Sequence, residues 1–186
     1  MAFCTSGQKS PSTKVERINK SEKTPEEVVL QFYNWYLKEI YLKSTLERPD
    51  VKLTKESIYQ IVPKVQFDKL KKTGFFSDEF YKNELIIYNA CNVQLRKVKI
   101  KDVDKCGCSP SEFVKNDDCD FLSYYPWTGG QGENLNKVTI SKVTTSGDLS
   151  NVTAEISEAN TPYSHPIVTL LKEDRIWKIS KIELLF

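Results

Sequence analysis

An α+β fold, helices first and an antiparallel sheet after, is predicted by three features of this 186-residue chain. Apolar residues recur at helical spacing from residue 28 to residue 91. From residue 138 onward they alternate with a period of two, and turn-forming clusters separate the alternating runs at hairpin distances. The length suits one domain with a sizeable core. Residues 1–23 read as a disordered tether and residues 24–186 as a single domain, three helices packed on a sheet of about four strands.

Thr24-Pro25-Glu26-Glu27 is a strong helix start. Threonine at the cap, proline at the first helical position and glutamate three residues after the cap satisfy the orphan amides. Val28, Val29, Phe32, Tyr33, Tyr36 and Ile40 then mark one face of the helix. Arg48-Pro49-Asp50 breaks the chain. Thr54-Lys55-Glu56 predicts a second, shorter helix carrying Ile58, Ile61 and Val62. Pro63 interrupts it, and a further turn or two through Phe67 and Leu70 stops at Gly74. Ser77-Asp78-Glu79 caps a third helix with Phe80, Tyr81, Leu85, Tyr88 and Cys91 along its inner face.

Residues 99–136 are long for a loop. They contain three cysteines, the charged run Lys115-Asn116-Asp117-Asp118 and an aromatic and glycine cluster from Tyr124 to Gly132. Such a segment is either pinned by disulfides or used for binding. Four strands follow: one at Val138 and Ile140, one at Val152, Ala154 and Ile156, one from Ile167 to Leu171, and one from Ile176 to Leu184. Thr145-Ser146-Gly147-Asp148, the stretch from Glu158 to His165 with Pro162 in it, and Glu173-Asp174-Arg175 read as the hairpin connections. In the last strand the apolar parity shifts after Ile179, which predicts a bulge near Ser180-Lys181 and a strongly curved sheet.

With 27 basic against 25 acidic residues the net charge is +2, too small for a nucleic-acid or membrane surface. The denser basic stretches, Lys69 to Lys72 and Arg96 to Lys101, read as solvated faces. No apolar run approaches the ~18 residues of a membrane span. Cys4, followed by small polar residues and then the tether, resembles the start of a mature bacterial lipoprotein, with Phe3 in place of the small residue usual before such a cysteine. It would carry the lipid, making that anchor the chain's one contact with a membrane. The expected address is therefore the cell envelope, periplasmic or tethered to the outer membrane, with the cytoplasm as the alternative. Cys91, Cys106, Cys108 and Cys119 allow three pairings. Cys106 and Cys108 lie too close in sequence to pair comfortably, so each is expected to need Cys91 or Cys119. The spacing lacks the knuckles of a zinc site, and neither metal nor cofactor is expected.

The aromatic-striped first helix, two further helices and a meander ending Arg175-Ile176-Trp177-Lys178-Ile179-Ser180-Lys181-Ile182 resemble the cystatin-like, or nuclear-transport-factor-two-like, superfamily. That resemblance implies a curved sheet wrapping the first helix into a cone with an open mouth. Pro25-Glu26-Glu27-Val28-Val29 with Phe32-Tyr33 and Trp35-Tyr36, Asp118-Cys119-Asp120-Phe121-Leu122, and Trp177-Lys178-Ile179 are similar to a bacterial envelope family of unknown function that includes small lipoproteins. The superfamily holds isomerases, dehydratases, toxin-neutralising proteins and scaffold domains, so it assigns no catalytic residue.

Asp118 and Asp120, with Asp117 beside them, form the sharpest acidic cluster, either a cation or acid–base site or a solvated turn. Tyr124, Tyr125 and Trp127, followed by Gly129, Gly130 and Gly132, have the makeup of an adhesive loop or of a cover over the core. His165, the single histidine, excludes a three-histidine metal site. Neither it nor Tyr33 accompanies a nucleophile motif. The expected function is a non-enzymatic exported binding or scaffold domain for an unknown protein or small molecule, with residues 117–132 as its contact surface. The alternatives are an immunity or inhibitor protein that binds a secreted toxin, and an isomerase or hydratase using Asp120, Tyr33 or His165 in the cone. A homodimer through the open sheet face is a further expectation.

Overall fold

The computed structural model describes residues 22–41, 43, 49–114, 117–123, 125–130 and 134–185, apart from the side chains of residues 40, 41, 117 and 118. The chain is α+β. Helix α1 (Pro25–Trp35) opens with the predicted reciprocal cap: the Glu27 amide donates to Thr24 Oγ1 at 3.3 Å, and the Thr24 amide donates to Glu27 Oε2 at 2.9 Å. It continues into a π-helical turn, Tyr36–Tyr41.

The next segment departs from the expected helix. Asp50–Leu53 (β1) and Tyr59–Val62 (β2) form an antiparallel hairpin, closed by the Ser57 amide on the Thr54 carbonyl with Ser57 at φ 60°. Tyr59 and Ile61 point inward and Gln60 and Val62 less so, a period of two. The spacing of Ile58, Ile61 and Val62 fits a helix as well as a strand, and the β-branched residues with the Ser57 turn decide for the strand. Helix α2 (Lys64–Thr73) then ends at Gly74, whose φ of 72° is the left-handed cap anticipated there. Helix α3 (Asp78–Leu95) starts from Ser77, which accepts from the Phe80 amide at 3.3 Å. Its buried face holds Phe80, Tyr81, Tyr88, Cys91 and Leu95; Leu85, expected on that face, is 40% exposed.

A fourth helix, α4 (Ile100–Cys106), and two 3-10 turns, Pro110–Phe113 and Asp117–Leu122, occupy what reads as a long loop. With only Ile100 and Val103 as apolar markers, α4 is too short to leave a periodic signal. Disulfides pin part of this region, with one correction to the expected pairing. Cys91 joins Cys119, with Cα atoms 4.9 Å apart, and Cys106 joins Cys108, with Cα atoms 5.2 Å apart. Gly107 at φ 68° turns the chain between the latter pair and brings both side chains to one side.

The second half is an antiparallel sheet of five strands: β3 (Leu135–Ser146), β4 (Leu149–Glu158), β5 (Thr161–Ser164), β6 (Ile167–Glu173) and β7 (Ile176–Glu183). The order is β3-β4-β6-β7, with β5 also on β4. The unexpected strand, β5, lies in the Glu158 to His165 connection. It tolerates Pro162 because it pairs with β4 alone. The predicted irregularity in β7 is present: the register with β6 shifts between the pairs Thr169↔Lys181 and Leu170↔Ile179, leaving Ser180 as the extra residue. There the edge of β7 is covered. The Ser77 amide donates to the Ile179 carbonyl at 2.9 Å, the Ile179 amide to the Phe75 carbonyl at 2.8 Å, and Asn83 Nδ2 to the Ser180 carbonyl at 3.0 Å.

The inward residues Val152, Ala154, Ile156, Val168, Leu170 and Ile179 of the sheet are fully buried, and α1 lies against β3, β4 and β7. Phe32, Tyr33 and Tyr36 fill the space between them.

Candidate functional site

A groove of about 350 Å³ opens beside α3. Ile86, Ile87 and Ala90 of α3 form one wall, Phe121 and Pro126 the second, and Ile182 and Leu184 at the end of β7 the third. Glu84, Tyr88 and the edge of Trp127 complete it, and among the described residues the lining carries no lysine or arginine. Ile86 of this wall is 68% exposed, and Ile87, together with Leu85 and Val93 of the same helix and Leu185 next to Leu184, is also open to solvent.

The groove follows from the sequence of α3. Leu85-Ile86-Ile87 places three apolar side chains about 100° apart around the helix, more than one buried stripe accommodates. With Tyr88 and Cys91 turned to the core, Ile86 faces out. The second wall is fixed by the buried Cys91–Cys119 disulfide and by Phe121, whose ring stacks on Tyr88 at 5.3 Å between centroids. These contacts hold the Asp117–Leu122 turn against α3.

One partly buried carboxyl lies in these apolar surroundings. Tyr88 Oη stands 2.8 Å from Glu84 Oε2 and 3.0 Å from Gln66 Oε1, giving a short chain of polar groups from the groove toward α2. Burial raises the Glu84 carboxyl from 4.5 to about 7, against the hydrogen bond from Tyr88, which favours the charged form. Burial, then the Glu84 charge, pushes the Tyr88 phenol well above its usual range. Near neutral pH the groove therefore offers a carboxyl that a cation or a hydrogen-bond donor would draw into its charged form.

The residues singled out from the sequence do not converge. Tyr33 is fully buried and donates to the Trp127 carbonyl at 3.0 Å; burial, then the neighbouring Tyr36, raises its phenol well above the ordinary value. Trp127 is 2% exposed, packed against Tyr36 at 5.1 Å and against Phe32, Phe76 and Phe80 at 5.7 to 5.9 Å. The aromatic and glycine segment thus covers the core rather than presenting this ring outward. Its backbone is knitted by the Tyr125 amide on the Gly130 carbonyl and the Gly129 amide on the Tyr125 carbonyl, both 2.8 Å. Tyr125 is partly buried, and Asp120 is exposed on the turn that carries Phe121. The backbone of Asp118 belongs to the same turn, while its side chain, all of Tyr124 and Cys4 lie outside the described residues. His165 is exposed at the β5–β6 junction, its Nε2 3.6 Å from Glu155 Oε2.

Among the described residues no group of three or more histidine, cysteine or acidic side chains is placed to hold a metal ion, and no helix is long and apolar enough to cross a membrane. Sequence reading pointed to residues 117–132 and missed Glu84, Ile86 and Ile87; the surplus of apolar residues in α3 was the available signal. No protein-family model, curated protein or solved structure matches this chain.

Proposed function

We propose that this chain is a non-enzymatic binding or scaffold domain of the cell envelope, tethered through a lipid on Cys4, and that its groove takes an apolar protein segment bearing a lysine or arginine. The observation that carries the reading is the groove itself, an apolar channel lined, among the described residues, by one carboxyl and no basic side chain, with Ile86 and Ile87 exposed. The apolar walls supply most of the binding free energy, and Glu84 supplies the charge preference. The exposed apolar side chains of Leu85 and Val93 on α3 and of Leu185 next to Leu184 favour a protein segment over a compact small molecule. Asp120, beside Phe121, adds negative charge of the same sign.

The tether is compatible with this use. Glu22 pairs with Lys172 at 3.1 Å, and Glu22 and Lys23 lie with Arg175 and Ile176 around the β6–β7 hairpin. The groove adjoins Ile182 and Leu184 at the other end of β7, about 20 Å away at ~3.3 Å per residue. A domain anchored at the hairpin end would turn its groove away from the membrane. The cystatin-like cone accords with α1 lying across the inner sheet face and with the bulge at Ser180. An inhibitor of a secreted toxin would use the same groove. The isomerase reading is less favoured, because Tyr33 is sealed in the core and His165 faces outward beside Glu155. The sheet's outward face carries Lys142, Thr144, Asn151, Thr153 and Glu183 around Ile167, a mostly polar surface for a dimer.

Titration of the full chain with an amphipathic leucine–lysine peptide, followed by backbone-amide NMR at pH 7.5, tests this reading. Shifts confined to α3, the end of β7 and residues 117–127, lost in Ile86→Glu and absent with a leucine–glutamate peptide, are the expected result. Equal binding of both peptides, or shifts elsewhere, would overturn it.

A further inference from the structure

The two cysteine pairs are unlike each other. Cys91–Cys119 is buried, 0% and 3% exposed, and fastens α3 to the turn 28 residues later. Cys106–Cys108 encloses a single residue, with Cys106 exposed and Cys108 partly so. A disulfide restrains the unfolded chain more the longer the loop it closes, and a loop of one residue restrains little. Nor does this bond join two packed elements: it links the last residue of α4 to the second residue beyond it. It contributes little to the fold, and Cys106 is open to solvent.

We propose that Cys106-Gly107-Cys108 is a thiol–disulfide exchange site for solvent-exposed protein or glutathione-class disulfides, with Cys106 the reacting sulfur and Cys108 the resolving one. Cys106 is the more exposed, and the Cys108 amide lies 3.1 Å from Cys106 Sγ, where it stabilises a thiolate. A Cβ on Gly107 would meet nothing within 4 Å, so approach over the turn is unobstructed. In the reduced protein the Cys106 thiolate attacks one sulfur of a substrate disulfide, forming a mixed disulfide and expelling the other substrate sulfur as a thiolate, which takes up a proton. The Cys108 thiol then loses its proton and its sulfur attacks Cys106 Sγ. The Cys106–Cys108 bond forms, and the second substrate thiolate leaves. Two electrons pass from the protein dithiol to the substrate, and the reverse sequence oxidises a substrate dithiol. The buried Cys91–Cys119 pair is shielded from such attack. This inference is independent of what occupies the groove.

The full chain, equilibrated in glutathione buffers of varied redox ratio and alkylated without denaturant, tests the proposal by mass spectrometry. Cys106 and Cys108 are expected to titrate together while Cys91 and Cys119 stay oxidised. With oxidised glutathione, reduced Cys108→Ser is expected to trap one glutathione on Cys106, and reduced Cys106→Ser to react about tenfold more slowly at Cys108. The double variant should unfold at the parent's urea midpoint. A Cys106–Cys108 bond that resists glutathione, equal trapping at both sulfurs, or a midpoint lowered as far as by loss of the buried pair would each overturn the assignment.

Discussion

The Tyr33 hydroxyl donates to the Trp127 carbonyl over 3.0 Å, joining the first helix to a loop 94 residues along the chain. Both residues are sealed in the core, where the Trp127 ring packs among Phe32, Phe76 and Phe80. Tyr33→Phe leaves the buried carbonyl without this donor and is expected to cost about 1–2 kcal/mol in urea unfolding. Trp127→Ala should cost about 3–5 kcal/mol by the same measurement, because a large aromatic leaves a cavity among packed rings. A surface role for Trp127 would instead leave stability nearly unchanged.

Glu84 makes stability depend on pH. Its folded-state value of about 7 lies above the ordinary 4.5, so folding favours the proton. The stabilising contribution is whole below about pH 4.5 and is lost as pH rises through 7, by up to about 3 kcal/mol, less where solvent reaches this partly exposed group. Glu84→Gln should flatten the dependence between pH 4.5 and 8 and leave the variant more stable than the parent at pH 8. Urea midpoints across that range check it.

Removing the buried disulfide with Cys91→Ala and Cys119→Ala is expected to cost about 3.6 kcal/mol, the entropy of a 28-residue loop. Hydrogen exchange should show the Asp117–Leu122 turn opening first, since the disulfide and the Phe121–Tyr88 stack hold it to α3. Uniform loss of protection would mean that the turn is held by other contacts.

Ser77 serves two elements. Its hydroxyl oxygen accepts from the Phe80 amide at 3.3 Å and donates to the Ile179 carbonyl at 3.2 Å, beside the bulge in β7. Ser77→Ala should cost about 1–2 kcal/mol, whereas an isolated helix cap loses about 1 kcal/mol. Double-mutant cycles with Asn83→Ala, whose amide holds the Ser180 carbonyl, should show coupling across this edge.

Where local chemistry decides the structure, it could be read from the residues. The Thr24 to Glu27 cap, the Gly74 stop, the Ser77 start and the Ser180 bulge each need only neighbouring positions, and each is present. Where a short apolar run fits two periods, tertiary packing decides. Tyr59–Val62 is a strand, with Tyr59 and Ile61 buried and the Ile61 amide on Asn92 Oδ1 of α3 at 2.7 Å. β5 was hidden by Pro162, which an interior strand excludes and an edge strand accepts. The groove was legible only as a surplus of apolar residues in α3, because its other walls come from segments 30 to 100 residues away.

The central claim concerns the face around Ile86, and it is tested most directly by photo-crosslinking in the native cells. A photo-reactive residue replaces Ile86 in one full-length chain and Thr169, on the outward sheet face, in another. The account predicts an adduct from position 86 alone, mapping to a partner segment in which apolar residues flank a lysine or arginine, and its loss on introducing Ile87→Asp. Equal adducts from both positions, or an acidic segment captured at position 86, would contradict it.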